Sequence, residues 1–233
     1  MKNKLAVVIP IYNEQDTIEQ VLEIVKKLDF VKEIIAVNDG STDNTKNILD
    51  QYQNDEKIKV IHKANGGKGT ALREGFKYVT AEYVAVQDAD LEYDPNDLEK
   101  MLEFAINKNV QVVYGNRFYD QGLFEWGKMN WKNAVGNKII LPGLVNFLYG
   151  QHIHDEATCY KMFKTELLQS IPLTCTRFEF CPEVTAKVAK KGTKIQEVPI
   201  SYFPRNEEGG KKLNAVKDGI EAIWTLIKFR FIK

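Results

Sequence analysis

Apolar residues in this chain come in short runs, unbroken by polar residues at 5–10 and 83–86, and polar residues gather immediately behind each run. Residues 5–10, 31–37, 58–61, 83–86 and 110–115 are the five runs in the first half, rich in valine, isoleucine and aromatic residues. Runs of this length without polar alternation predict strands buried on both faces. Between them the apolar positions switch to helical spacing. Ile18, Val21, Leu22, Val25 and Leu28 follow the first run, with Asp16 or Asn13 available as a cap, and a polar helix to about Tyr52 follows the second. Leu72, Gly75, Phe76 and Val79 share a face after the third run, as do Leu98, Met101, Leu102 and Ala105 after Pro95. Four alternations of strand and helix predict right-handed crossovers, hence an α/β fold with a mostly parallel central sheet and helices on both faces.

In such a sheet the loops after successive strands share one edge, where open α/β sheets bind ligands. Residues 10–14, 39–43, 66–69, 88–92 and 116–117 are therefore predicted to converge. The opposite loops, 26–29, 53–57 and 107–109, read as plain solvent turns, so the polar asymmetry marks one edge as a site. Beyond Arg117 the pattern loosens. Residues 118–133, with Trp126 and Trp131, read as a loop over that site, and 134–149 as a mostly apolar helix broken near Pro142. A strand at 158–164, a helix at 182–190 and a strand at 194–199 follow, then a charged loop at 206–212. The last helix carries Leu213, Val216, Ile220, Ile223, Trp224 and Ile227 as its main stripe, flanked by Leu226 and Phe229.

Length allows one sizeable core, so residues 1–233 are read as one catalytic domain: a ligand-binding half (1–117), a second half (118–212) and a terminal amphipathic helix (213–233). Lys+Arg and Asp+Glu are equal at 32 each, which removes the basic excess expected of a nucleic-acid binder. Cys159, Cys175 and Cys181 form no C-x-x-C and are odd in number, which suggests reduced thiols and a cytoplasmic setting rather than a disulfide framework or a zinc site. Met1 to Lys4 lead straight into a strand, leaving no room for a signal peptide's apolar region. Residues 139–149, the longest uncharged apolar stretch, fall far short of the ~20 residues of a membrane-spanning helix. The final helix, with Lys217, Lys228 and Arg230 among its apolar residues, reads either as buried or as lying on an anionic membrane surface.

The fourth run ends in Asp88-Ala89-Asp90, with Glu92 and Asp94 close behind. Carboxylates one residue apart repel each other and are costly to bury, and a divalent cation such as Mg²⁺ or Mn²⁺ answers both problems. The alternative is a solvated acidic turn in which Asp94 caps a helix that starts at Pro95. The glycine-rich segment at 66–69 is not a P-loop, because Gly69 follows Lys68 and His62 stands at the leading glycine position. It can offer backbone N–H groups and a lysine to a phosphate, or serve as a turn needing positive φ. Asp39 suits hydrogen bonding to a base or ribose, and equally a turn. Arg117 and Arg205 stand just past strands and can grip a phosphate bidentately, or form surface salt bridges. His152 and His154, beside Asp155 and Glu156, read as polar loop residues for want of a further ligand.

Taken in order, V-I-P-I-Y-N-E at 8–14, V-N-D-G-S-T-D at 37–43, G-K-G-T-A at 67–71 and Q-D-A-D-L-E-Y-D-P at 87–95 resemble the family 2 glycosyltransferases of GT-A fold. The likeness is greatest to the dolichyl- or polyprenyl-phosphate sugar transferases. It continues through V-Y-G-N-R at 113–117, D-E-A-T-C-Y-K at 155–161, F-E-F-C-P-E at 178–183 and E-V-P-I-S-Y at 197–202. The resemblance implies that Pro10, Tyr12, Glu14, Asp39 and Ala89 hold the nucleoside of a nucleotide-sugar donor, with Lys68 and Asp88 beside its phosphates. It implies Asp88, Asp90 and Glu92 as ligands of Mg²⁺ or Mn²⁺, and Arg117 and Arg205 facing an acceptor phosphate. The expected reaction is inverting transfer of a hexose, from a donor of UDP-glucose or GDP-mannose type, to a polyprenyl or dolichyl phosphate. Asp155 or Glu156 would be the base if the acceptor were a hydroxyl. The chain departs from the family pattern at Glu92, where dolichol-phosphate mannose enzymes often carry Gln, at His154, and in the loop at 206–210. A soluble enzyme with a saccharide acceptor, a sugar-phosphate nucleotidyltransferase and an inactive membrane-associated scaffold are the competing readings. The nucleotidyltransferases carry their glycine-rich loop after the first strand, whereas here it follows the third.

Overall fold

The computed structural model describes residues 2–119, 135–204 and 215–232. Seven strands among these residues form one sheet in the order β3-β2-β1-β4-β6-β5-β7. β1 (Leu5–Ile11), β2 (Val31–Asp39), β3 (Ile58–Lys63) and β4 (Tyr83–Val86) are parallel neighbours, as the apolar runs predict. β5 (Val112–Asn116) pairs in parallel with β7 (Gln196–Pro199). β6 (Lys161–Lys164) runs antiparallel between β4 and β5, so the sheet is mostly but not wholly parallel. The strand expected at 158–164 starts three residues later, at Lys161.

The sheet divides the core in two. On one face α1 (Ile18–Lys26), α2 (Thr45–Asp50) and α4 (Asp97–Asn107) bury the predicted stripe of Val21, Leu22, Val25, Leu98, Met101 and Leu102. Each fully buried side chain of this size contributes about 1.5–3 kcal/mol. On the other face lie α3 (Lys68–Phe76), α5 (Leu141–Tyr149), α6 (Thr165–Gln169), α7 (Phe180–Lys190) and α8 (Ala215–Phe231). A Cβ on Gly75 would stand 2.5 Å from Val8 Cγ1, so glycine lets α3 approach β1 this closely. The short α6 was not foreseen; five residues carry too little periodicity to register. A π-helical turn, Gly136–Ile140, precedes α5, so the helix changes character just before Pro142, near the expected break, and Pro142 sits in the first turn of α5.

In α8 the packed face differs from the expected stripe. Leu226 is wholly buried and Ile223 and Phe229 pack beside it, while Ile220 and Trp224 face outward. Apolar residues occur nearly all round this helix, so spacing alone could not choose the inner face. No helix among the described residues is long and apolar enough to cross a membrane. The loop expected over the site lies outside the described residues from 120 onward, as do Arg205 and the loop at 206–212.

Candidate active site at the carboxyl edge of the sheet

The loops after β1, β2, β3 and β4 meet at one edge, and hydrogen bonds stitch each to the next. Ser41 Oγ accepts from the Asn13 amide at 3.0 Å, Asn13 Oδ1 accepts from the Thr42 amide at 2.8 Å, and Thr45 Oγ1 accepts from the Glu14 amide at 2.9 Å. Asn13 takes a left-handed φ of +53°, which the asparagine side chain tolerates in this tight turn. The hydroxyl of Thr17 donates to the Ala89 carbonyl at 2.7 Å, tying the first loop to the acidic one. Pro10, Tyr12 and Glu14 are half-buried along this edge.

Asp39, at the end of β2, is almost wholly buried, and its carboxylate is saturated from within the protein. Gly66 N–H donates to Oδ1 at 3.0 Å, Gly67 N–H to Oδ2 at 2.7 Å, and Lys63 pairs with it as well. Lys63 stands opposite Asp39 in the β2–β3 register, a pairing visible only once the strands are aligned. Asp39 thus fixes the glycine-rich segment, and two of the N–H groups that segment could offer a phosphate are already committed. Gly67 has φ of +93°, the positive-φ turn expected of it.

From that segment Lys68 reaches across to Asp88 at 2.6 Å and to the Cys159 thiol at 3.2 Å. Burial by itself would lower the ammonium pKa, but the Asp88 carboxylate outweighs it and holds Lys68 well above the ordinary lysine value. The contact of Cys159 with Lys68 had no sequence signal, since 91 residues separate them. Asp90 accepts from the Glu92 amide at 3.1 Å around Leu91, which takes φ of +59°. Burial, then the charges of Asp88 and Glu92, push the Asp90 carboxyl up to about 7. Glu92 accepts from the Tyr202 hydroxyl at 2.9 Å, and its carbonyl accepts from the Phe203 amide at 2.8 Å, strapping the acidic loop to the segment beyond β7.

Among the described residues no three His, Cys, Asp or Glu side chains are gathered to hold a metal ion. Asp88 and Asp90 nonetheless suit one. They bring hard oxygens to one short loop, and the burial and mutual repulsion that raise the Asp90 pKa are what a divalent cation would offset. Glu92, expected as a third ligand, has one oxygen on Tyr202.

Past β5 the arrangement differs from expectation. Arg117 Nε and Nη2 each donate to Asp155 at 2.7 Å, and the Arg117 amide donates to the same carboxylate at 3.0 Å. The pair is closed off from solvent, at 7% and 0% side-chain exposure. The arginine expected at an acceptor phosphate and the carboxylate considered as a base hold each other instead. Burial alone would lower the Arg117 pKa; Asp155 more than offsets it and raises it well above the ordinary arginine value. Glu197 secures the pair by accepting from the amides of His154 and Asp155, both at 2.9 Å. Glu156 is also buried; burial raises its pKa against the nearby Lys161 ammonium, and neither of its oxygens has a hydrogen-bond partner among the described residues.

The pattern of the family described as "Glycosyl transferase family 2" matches residues 6–171. "Glycosyltransferase AglJ" of Haloferax volcanii is 31% identical over 92% of this chain and 68% of its own length. "Low-salt glycan biosynthesis hexosyltransferase Agl6" of the same organism is 30% identical over 98% of this chain and 53% of its length. "Dolichol-phosphate mannosyltransferase" of Pyrococcus furiosus is 26% identical over 97% and 64%. The chain thus spans 53% to 68% of the length of these relatives. Among solved structures, glucosyl-3-phosphoglycerate synthase from Mycobacterium tuberculosis, in complex with Mn²⁺, UDP and phosphoglyceric acid, superposes with a TM-score of 0.74. It is 18% identical over 99% of this chain and 80% of that one, a likeness that establishes the GT-A fold. The same synthase has been crystallised with Mg²⁺ and UDP, TM-score 0.69. Fold, ordered loops and family pattern together make this chain a glycosyltransferase, a member of glycosyltransferase family 2.

Proposed function

We propose that the protein transfers a hexose from a nucleoside-diphosphate sugar to a polyprenyl phosphate, with inversion and with a divalent cation. The observation that carries the reading is the convergence of four loops on the mostly buried but still solvent-reachable Lys68–Asp88 pair, with the crowded carboxyl of Asp90 beside it. Pro10, Tyr12, Glu14 and Ala89 would line the nucleoside, and Asp39 would act through the glycine-rich loop it orders. Lys68 would exchange Asp88 for a donor phosphate. Asp88 and Asp90 would hold Mg²⁺ or Mn²⁺, with the second oxygen of Glu92 as a further donor. When bound, that ion supplies Lewis-acid stabilisation of the leaving diphosphate.

A phosphate acceptor is favoured over a hydroxyl by the state of the two candidate bases. Asp155 and Glu156 are 0% and 1% exposed, and Asp155 is committed to Arg117, so neither is placed to take a proton from a sugar hydroxyl. A phosphate monoester is already anionic near neutral pH, by its second pKa of ≈ 6. It needs positioning more than deprotonation. Arg205 is the proposed contact, while Arg117 would hold the Asp155 wall of the site. The named activity of the Pyrococcus relative supports the same acceptor class. A lipid chain would find an apolar surface at Ile140, Phe147, Ile220 and Trp224, which are exposed on α5 and α8 and their lead-in.

A partition assay tests the proposal. Purified protein, Mn²⁺, a polyprenyl phosphate and labelled UDP-glucose or GDP-mannose are mixed, then extracted with organic solvent. Label entering the organic phase, and absent with Asp90→Ala, is the expected result. Label remaining in water while nucleoside diphosphate accumulates would move the acceptor to a hydroxyl compound.

A further inference from the structure

We propose that Glu179 and Glu183 at the start of α7 are positioning residues for the donor loop, acting through the backbone segment 174–177. The inference rests on the donor assignment above.

Every amide of that segment donates to one of the two carboxylates. Glu183 accepts from the Thr174 amide and hydroxyl, both at 2.7 Å, and from the Cys175 amide at 2.6 Å. Glu179 accepts from the Thr176 amide at 2.6 Å, its hydroxyl at 2.9 Å, and the Arg177 amide at 2.9 Å. Glu183 is fully buried and is neutralised by Lys187 one turn on. With its N–H groups turned toward α7, the segment presents its carbonyls to α3. The Thr176 carbonyl accepts from the Thr70 amide at 3.2 Å, and the Cys175 carbonyl from Arg73 at 3.3 Å.

The contact with the donor loop is close enough to exclude side chains. A Cβ on Gly67 would fall 2.5 Å from the Thr176 carbonyl oxygen, and one on Gly69 would fall 2.9 Å from the backbone carbons of Cys175 and Thr176. Lys68 lies between these two glycines. Its backbone is therefore clamped from one side by the segment and from the other by Asp39, which takes the amides of Gly66 and Gly67. Two carboxylates bonded to the backbone segment rather than to Lys68 or Asp88 thus set where the Lys68 ammonium meets Asp88. Charge-assisted bonds to backbone amides are short and strong, which suits them to holding a loop in register.

Two readouts test this on the full chain. Hydrogen exchange followed by mass spectrometry reads the loop without any donor. Glu183→Gln, and Glu179→Gln at the more exposed rim, are each expected to speed exchange of the amides at 66–70 by about tenfold, leaving those of β1 unchanged. Calorimetric titration with UDP and with GDP, in Mn²⁺, reads the consequence. Whichever nucleotide the parent protein binds is expected to bind the Glu183→Gln variant about tenfold more weakly, roughly one hydrogen bond's worth, with acceptor KM unaltered. Unchanged exchange at 66–70 in a folded variant overturns the inference, as does a lower kcat with nucleotide affinity intact. If the parent protein binds neither nucleotide, the donor assignment fails, and faster exchange at 66–70 would still uphold the mechanical link. Should Glu183→Gln fail to fold, Glu179→Gln and Gly69→Ala, which presses on the same contact from the opposite side, carry the same two expectations.

Discussion

Two ion pairs stand at the site edge, and they are built for different work. Lys68–Asp88 is one contact between two loops, with 18% and 14% of its side chains exposed. Arg117–Asp155 is a fork with a third bond from the backbone, at 7% and 0%. The first can open, because a phosphate can take the place of Asp88 on Lys68, and water or a cation the place of Lys68 on Asp88. The second cannot, because separating it strands a buried charge. A charged residue at a ligand-binding edge is thus not by that fact a ligand residue; the number of bonds it already makes decides.

The sharpest way to break the comparison is Asp155→Ala. It leaves the Arg117 guanidinium buried and unpaired, and the expected loss is about 3–5 kcal/mol of folding stability, measured by urea denaturation. Arg117→Lys keeps the charge but loses the fork, so about 2 kcal/mol is expected in the same measurement. Lys68→Ala should do the reverse of Asp155→Ala. Stability falls by about 1–2 kcal/mol, the loss of one charge-assisted bond between mostly buried partners, while nucleoside-diphosphate affinity in calorimetry drops about tenfold. An equal stability loss in Asp155→Ala and Lys68→Ala would erase the distinction.

The smallest effect concerns Asp90. Its folded pKa of about 7 lies above the ordinary aspartate value, so the stability it supports is present below about pH 4 and lost as pH rises through about 7. Asp90→Asn, which stays neutral, is expected to melt a few degrees above the parent at pH 8 without metal, by about 1 kcal/mol, and level with it near pH 4. Melting curves at the two pH values check the sign.

The donor side was legible in the sequence for a physical reason. Strands buried on both faces leave apolar runs, each run ends at the same edge, and the polar residues after it therefore converge. Asp39, Lys68, Asp88 and Asp90 were placed on that basis. What the residues hold could not be read from them alone. Asp39 takes its partners from residues 24 to 28 positions away, and Lys68 meets Cys159, 91 residues further on. Beyond β5 the signal weakened. An antiparallel strand, a five-residue helix and a terminal helix apolar nearly all round do not impose one period. Arg117 and Asp155 were both singled out, yet only their geometry showed that each answers the other.

The most direct test of the central claim is metal-dependent binding of a nucleoside diphosphate at the Lys68–Asp88 edge. Calorimetric titration of UDP and GDP, with and without Mn²⁺, would compare the parent protein with Asp90→Ala. The account predicts that one nucleotide binds the parent only when Mn²⁺ is present, and that Asp90→Ala abolishes that binding while the protein stays folded. Binding of equal strength in Asp90→Ala, with or without the metal, would contradict it and place the donor elsewhere.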